Sequence, residues 1–240
     1  MSERFRSAKT LSLAAIGGLA ATAGVALLDI LVGFIQIMDP YAFVFTEDEI
    51  PGWLMLVGLA ALLQFPIFIA TVIAFLLWEY RAHSNLNALK PENLEFTPGW
   101  AVGWWFVPFL NLFKPFQAMR EIWWESDPDG VNFNNEPTFL SASLHSAPGF
   151  MTIWWAFWII SNIANNLASR AFDPDNPESA AIGGTVVIAA GILTIIAAVL
   201  AITVVRDITD RQERRSIVVG NIQPAEPPPP PTFGDPRQNI

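Results

Sequence analysis

The stretch Trp53-Leu-Met-Leu-Val-Gly-Leu-Ala-Ala-Leu-Leu-Gln64-Phe-Pro66-Ile-Phe-Ile-Ala-Thr-Val-Ile-Ala-Phe-Leu-Leu-Trp78 contains no charged side chain. A helix needs about 20 consecutive apolar residues to cross a bilayer. This run exceeds that length, and Pro66 is tolerable within it because neighbouring helices satisfy the freed carbonyl. Three more stretches read the same way. Leu11 to Met38 is apolar apart from Asp29 and Gln36, Phe150 to Ser169 is apolar but holds three asparagines, and Ala180 to Val205 carries no charge. The expected fold is therefore all-α and polytopic, with transmembrane helices at 11–38, 53–78, 150–169 and 180–205.

Composition agrees. Of 240 residues, 52% are hydrophobic and only 15% charged, against about 25% charged in an ordinary soluble domain. The net charge of −9 averages over acids and bases that sit in different places. No polybasic surface suited to nucleic acid is present. The chain has no cysteine, which excludes disulfides, thiolate catalysis and cysteine metal sites. Arg4, Arg6 and Lys9 followed by Ala21-Thr22-Ala23 imitate a signal peptide, but the apolar run continues to Met38, so it is expected to be retained as a span.

Charge placement sets the topology. Basic residues near span ends mark the cytoplasmic side. With four spans, Arg4, Arg6 and Lys9, then Arg81 and Lys90, then Lys114 and Arg120, then Arg206, Arg211, Arg214 and Arg215 all fall on that side. Residues 39–52 and 170–179 become acidic outer loops, with Asp39, Glu47, Asp48, Glu49, Asp173, Asp175 and Glu178 beside the lone Arg170. Both termini, 1–10 and 206–240, lie inside, and the expected location is the inner (plasma) membrane. Arg206 to Arg215 reads as a charged helical extension of the last span. Five prolines at 227–231 then give a disordered, extended tail.

Residues 79–148 form an insert between spans two and three, interfacial or re-entrant. Trp100 to Leu112 is apolar but too short to span, and Pro108 and Pro115 interrupt it. From Pro115, Phe116, Met119, Ile122 and Trp123 recur at helical spacing, which predicts an amphipathic helix over about 115–125. Tryptophan prefers headgroup depth. Trp100, Trp104, Trp105 and Trp123, with Lys114, Arg120 and Arg81, are the candidate surface for an anionic lipid or a cytoplasmic protein partner.

The insert also carries a resemblance. Arg81-Ala-His83-Ser-Asn85-Leu86, Phe96-Thr-Pro98-Gly99-Trp100-Ala-Val-Gly103-Trp104-Trp105-Phe-Val-Pro108 and Asn111-Leu-Phe-Lys114-Pro115-Phe-Gln117-Ala-Met119-Arg120-Glu121-Ile122-Trp123 resemble the core signature of a bacterial multi-pass membrane family. That family is labelled domain of unknown function 4328. Trp154-Trp155 and Trp158-Ile-Ile-Ser161-Asn162-Ile163 are similar to the same family's third span. The resemblance covers roughly residues 53–215 and implies a membrane protein. It carries over no activity and no catalytic residue.

Chemistry-bearing patterns are few. His83 and His145 are the only histidines, with no i, i+4 partner for a metal site. His83 reads as a hydrated histidine at the inner surface. Ser141, Ser143, Ser146 and Ser161 lack a nucleophile elbow, and no phosphate-binding glycine loop exists. Asp127-Pro-Asp129-Gly130 reads as a turn. Neither catalytic residues nor a metal or cofactor site is expected.

Polar residues inside the spans say more. At 100° per residue, Asn162, Asn165 and Asn166 share a face of the third span with Trp155 and Trp158. Gly18, Thr22 and Asp29 share a face of the first. Amides in hydrocarbon seek partners, and an intramembrane acid is a functional candidate. Asp29, Asn162, Asn165 and Asn166 are thus expected to form a polar cluster in the bundle, Asn162 and Asn166 bonding across helices. Two functions follow. One is a non-enzymatic binding or scaffolding protein centred on the insert. The other is a small transporter or channel centred on Asp29 and the asparagine face. Oligomeric state is left open.

Overall fold

A computed structural model describes residues 4–39, 41, 52–89, 94–128, 148–171 and 179–222. Most of the acidic segments 39–52 and 170–179, His145, Asp129-Gly130 and the proline-rich tail lie outside the described residues. Among those described there is no strand. The elements are α1 (Lys9–Met38), α2 (Gly52–Leu89), α3 (Pro98–Gly103), two single 3₁₀ turns (Trp104–Phe106 and Leu110–Leu112), α4 (Lys114–Glu125), α5 (Gly149–Ala171) and α6 (Ala180–Ile222).

Among the described residues, three helices are long and apolar enough to cross a membrane: Lys9–Met38, Ala61–Leu89 and Ala181–Gly220. Only 11%, 17% and 28% of their most apolar windows are buried within the protein, so most of that surface is left for another apolar environment. The 23 residues of α5 rise about 34 Å, long enough to cross, but its asparagines and serines make it less apolar than the other three.

Packing is antiparallel around α1 and α6. Gly33 meets the Gly184 backbone, and Gly191 meets Ala26 and Ile30. An added Cβ at Gly33 would lie 2.7 Å from the Gly184 carbonyl oxygen, and one at Gly184 would lie 2.5 Å from that of Gly33. Only glycine permits this approach. On another face of α1, Gly18 abuts Thr71, and the Thr22 and Thr71 hydroxyls lie 3.4 Å apart, which seats α2. The small face expected on α1 is thus used against α2. Helix α5 rests on α6, tied by Asn165 Nδ2 donating to Thr194 Oγ1 at 3.0 Å.

The dense core sits in the half of the bundle that holds the insert, here termed the inner half, the opposite half being the outer one. Trp78, Ala82, Leu86 and Leu89 of α2 pack with Met119 and Ile122 of α4, Met151 and Trp154 of α5, and Val204, Val205 and Ile208 of α6. The α4 helix begins and ends within a residue of the predicted 115–125. Its apolar face, however, packs into this core instead of facing outward, because α2 and α6 both extend past their apolar runs and offer a protein surface to cover. Buried polar groups lock the layer. Gln212 Nε2 donates to the Ala82 carbonyl and to Ser126 Oγ, its Oε1 accepts from Asn85, and Trp78 Nε1 donates to Thr209. Arg215 caps the end of α2 through the Leu89 carbonyl and also reaches the Asp127 carbonyl. The C-terminal extension is helical, as expected, but Gln212 and Arg215 are buried in it rather than solvated.

His83 corrects an expectation. It is fully buried, and its Nε2 lies 3.1 Å from Glu121 Oε2. Glu121 also accepts from the backbone N–H groups of Glu95 and Phe96, which pins the start of the insert to α4. The i+4 turn of α2 points His83 at α4, a neighbour that α2 alone does not reveal.

Candidate functional site

A cleft of about 680 Å³ opens between α2 and α5, backed by α1 and α6. That volume falls within the roughly 300–1,000 Å³ of small-molecule sites. Helix registry orders its lining by depth. Towards the outer end, Gln64 Nε2 reaches Asp29 Oδ2 at 3.4 Å, and Asn165 bonds Thr194. Midway lie Thr22, Thr71, Ser161 and Asn162, between apolar walls that include Val25, Phe68 and Val72. The inner end is aromatic: Phe75, Trp105, Phe106, Trp154 and Trp158.

That floor is built by the insert. Thr97 N-caps α3 by accepting from Trp100 N, and Pro98 occupies the first turn, where a missing N–H costs nothing. Pro108 then forces the preceding Val107 into an extended conformation (φ −93°, ψ 113°) and stops the helix. The intervening Trp105 lies edge-on to Phe75 of α2 and to Trp155 and Trp158 of α5, with centroids 5.3–5.7 Å apart. Trp155 and Trp158 stack at 4.8 Å. Trp155 Nε1 donates to the Leu112 carbonyl. The Trp105 indole N–H donates to Glu79 Oε2 at 2.7 Å. Glu79 is fully buried and its Oε1 has no hydrogen-bond partner among the described residues.

The predicted site residues divide. Asp29, Asn162 and Asn165 line the one cleft, whereas Asn166 does not. Asn162 Nδ2 bonds Trp158 O on its own helix, so the cross-helix amide is Asn165, not Asn162 or Asn166. In the insert, Trp105 is engaged by Glu79, and Trp123 donates to Asp207 and lies beneath the Arg211 guanidinium. Lys114 pairs with Glu95 at 3.6 Å and sits over the Phe96 ring. Trp100 is 54% exposed and lies against Trp104 at 4.6 Å. Arg81 and Arg120 are half-buried. Gln64, Thr71, Thr194 and Phe75 were not singled out from the sequence. Gln64 and Thr71 were findable: two polar residues seven apart in an uncharged span share one helix face. Among the described residues no group of three metal-ligating side chains exists.

A bundle of apolar helices around such a cleft is the architecture of an integral membrane protein. The chain belongs to the family whose model is described as domain of unknown function (DUF4328), which matches residues 47–210. That match takes in α2 to α5, the insert and most of α6. No curated protein and no solved structure matches the chain.

Proposed function

We propose that this chain is a four-span membrane protein whose activity is binding rather than catalysis. The cleft between α2 and α5 takes an apolar, lipid-type chain from the bilayer, and the insert lies in the inner leaflet and closes the cleft from below. The observation that carries this is the cleft itself, with apolar walls along its length and a floor of packed aromatics. A second feature supports the leaflet position of the insert. Phe106, Phe109, Leu110, Leu112 and Phe113 are exposed. Phe109, 82% exposed, takes the strained left-handed backbone (φ 65°) at the turn between the two 3₁₀ segments. An aromatic tip held outward in this way suits hydrocarbon better than water. Among the described residues of the insert, Arg81 and Arg120 are the cations left for an anionic headgroup, since Lys114 is engaged by Glu95.

The test is a cleft-filling variant. Val72→Trp projects bulk from the cleft-facing side of α2. Purified protein in nanodiscs should retain a hexadecyl-chain probe, and Val72→Trp should lose it with thermal stability unchanged. Equal retention by the two proteins would remove the cleft as the site. The four-span topology has its own check. Alkaline phosphatase fused near Phe45 or Asp175 should be active, and fusions after His83 or Arg215 inactive; activity after Arg215 would overturn the even span count. A second reading, a small transporter or channel, draws on Asp29, Gln64, Asn162 and Asn165 in the same cleft. Solute flux in proteoliposomes, abolished by Val72→Trp, would favour it over static binding.

A further inference from the structure

Resting on the binding reading above, we infer that the cleft selects a single-chain amphiphile bearing an ammonium head, a long-chain primary amine, with the head at Asp29 and the chain running inward to the aromatic floor. Two independent features of the lining point there.

The first is charge. Among the described residues that line the cleft, Asp29 is the one ionisable side chain. The facing helices contribute amides and hydroxyls: Gln64 and Thr71 from α2, Ser161, Asn162 and Asn165 from α5, and Thr194 from α6. By residue count Asp29 lies about 8 Å outward of the middle of α1, inside the roughly 15 Å half-thickness of a hydrocarbon core. A carboxyl group at that depth is costly without a partner, and its contact with Gln64 is long, at 3.4 Å.

The second is hydrogen-bond polarity. Several donors in the lining are turned to their own helices. Thr22 donates to the Gly18 carbonyl, Thr71 to that of Ile67 and Ser161 to that of Trp158. Asn162 Nδ2 donates to the Trp158 carbonyl, and Asn165 Nδ2 to the Ser161 carbonyl and to Thr194. A main-chain carbonyl can only accept, so each asparagine nitrogen must face its helix and each Oδ1 is left as an acceptor for the cleft. Gln64 spends Nε2 on Asp29 and keeps its own carbonyl oxygen. The outer part of the cleft therefore offers the Asp29 carboxylate and three amide oxygens as acceptors, beside the second N–H of Asn162 and of Gln64. Such a lining matches a head with three N–H donors and one positive charge. A fatty carboxylate offers only acceptors and a negative charge, and so meets repulsion at Asp29.

Three probes with one chain length isolate the head: hexadecylamine, hexadecanol and hexadecanoic acid. Each is titrated against the full chain in zwitterionic nanodiscs, with retention read by native mass spectrometry. The expected order is amine, then alcohol, then acid, with the amine at least tenfold over the acid. Asp29→Asn should bring the amine down to the level of the alcohol. Gln64→Lys, a change at an exposed position that places a cation beside Asp29, should move the preference towards the acid, and it serves where Asp29→Asn fails to fold. Equal retention of all three by the unaltered protein, or an amine preference that survives both substitutions, would overturn the head-group assignment while leaving chain binding intact. Retention of none of the three would overturn the binding reading as well.

Discussion

The inner and outer halves of this molecule are built from the same long helices, and they differ in how α2 meets α5. In the inner half, Trp78, Met119, Ile122, Met151, Trp154 and Ile208 are fully or almost fully buried, and side chains as polar as Glu79, His83 and Gln212 are enclosed with them. In the outer half, Leu62, Phe65, Phe68, Ile163 and Leu167 are all exposed and α2 stands off from α5 across the cleft. The insert and the extensions of α2 and α6 bring extra surfaces to the inner half, while the described residues of the outer half belong almost entirely to the four long helices. The contrast separates tasks: the dense layer encloses the large side chains, and the outer half joins α1 to α6 tightly while leaving room for a ligand between α2 and α5.

The largest expected effect belongs to the dense layer. Trp78→Ala removes a fully buried indole and its bond to Thr209. It should cost about 3–5 kcal/mol of stability, measured by denaturant or thermal unfolding in detergent. A loss below about 1 kcal/mol would mean that the inner layer is not where stability resides.

Asn165 tests the seam between the halves. Intramembrane hydrogen bonds average about 0.6 kcal/mol, with a maximum near 1.7. Asn165→Leu should lose about that much, and a double-mutant cycle with Thr194→Val should assign it to the pair. Asn162→Leu should lose less, because its bond stays within its own helix. The reverse order would place the cross-helix contact at Asn162 after all.

The smallest effect is expected at Phe68, an exposed wall of the cleft. Phe68→Ala should leave unfolding within about 0.5 kcal/mol of the unaltered protein while weakening retention of a hexadecyl probe. A stability loss comparable to that of Trp78→Ala would erase the distinction between the halves.

The apolar runs were legible because crossing a bilayer demands length and composition that a single chain displays openly. The breaks in the insert were legible for a similar reason: Thr97-Pro98, Pro108 and Pro115 act on their own backbone, and the structure ends and begins helices there. Asp29, Asn162 and Asn165 could be placed on helix faces, and all three line the cleft. The reading of His83 as hydrated was wrong. His83, Gln212 and Arg215 sit in charged sequence that looks solvated, and nothing local reports that another helix covers them. The indoles misled for a related reason. Trp105 and Trp123 suggest membrane anchors by type, yet each gives its N–H to a carboxylate, Glu79 at one and Asp207 at the other, far away in sequence.

By itself, then, the sequence determined helical character, the apolar lengths and the positions of caps and breaks, because these depend on residues within one or two turns of each other. Only the tertiary structure decided that α2 and α5 stand apart, that Trp105 closes the gap between them, and that asparagine nitrogens turn inward to leave acceptors facing the cleft. Those outcomes depend on which helices meet, and the meeting is fixed by contacts such as Gly33 with Gly184 and Thr22 with Thr71. Such contacts join residues tens to more than a hundred positions apart, and no local pattern in the chain records them.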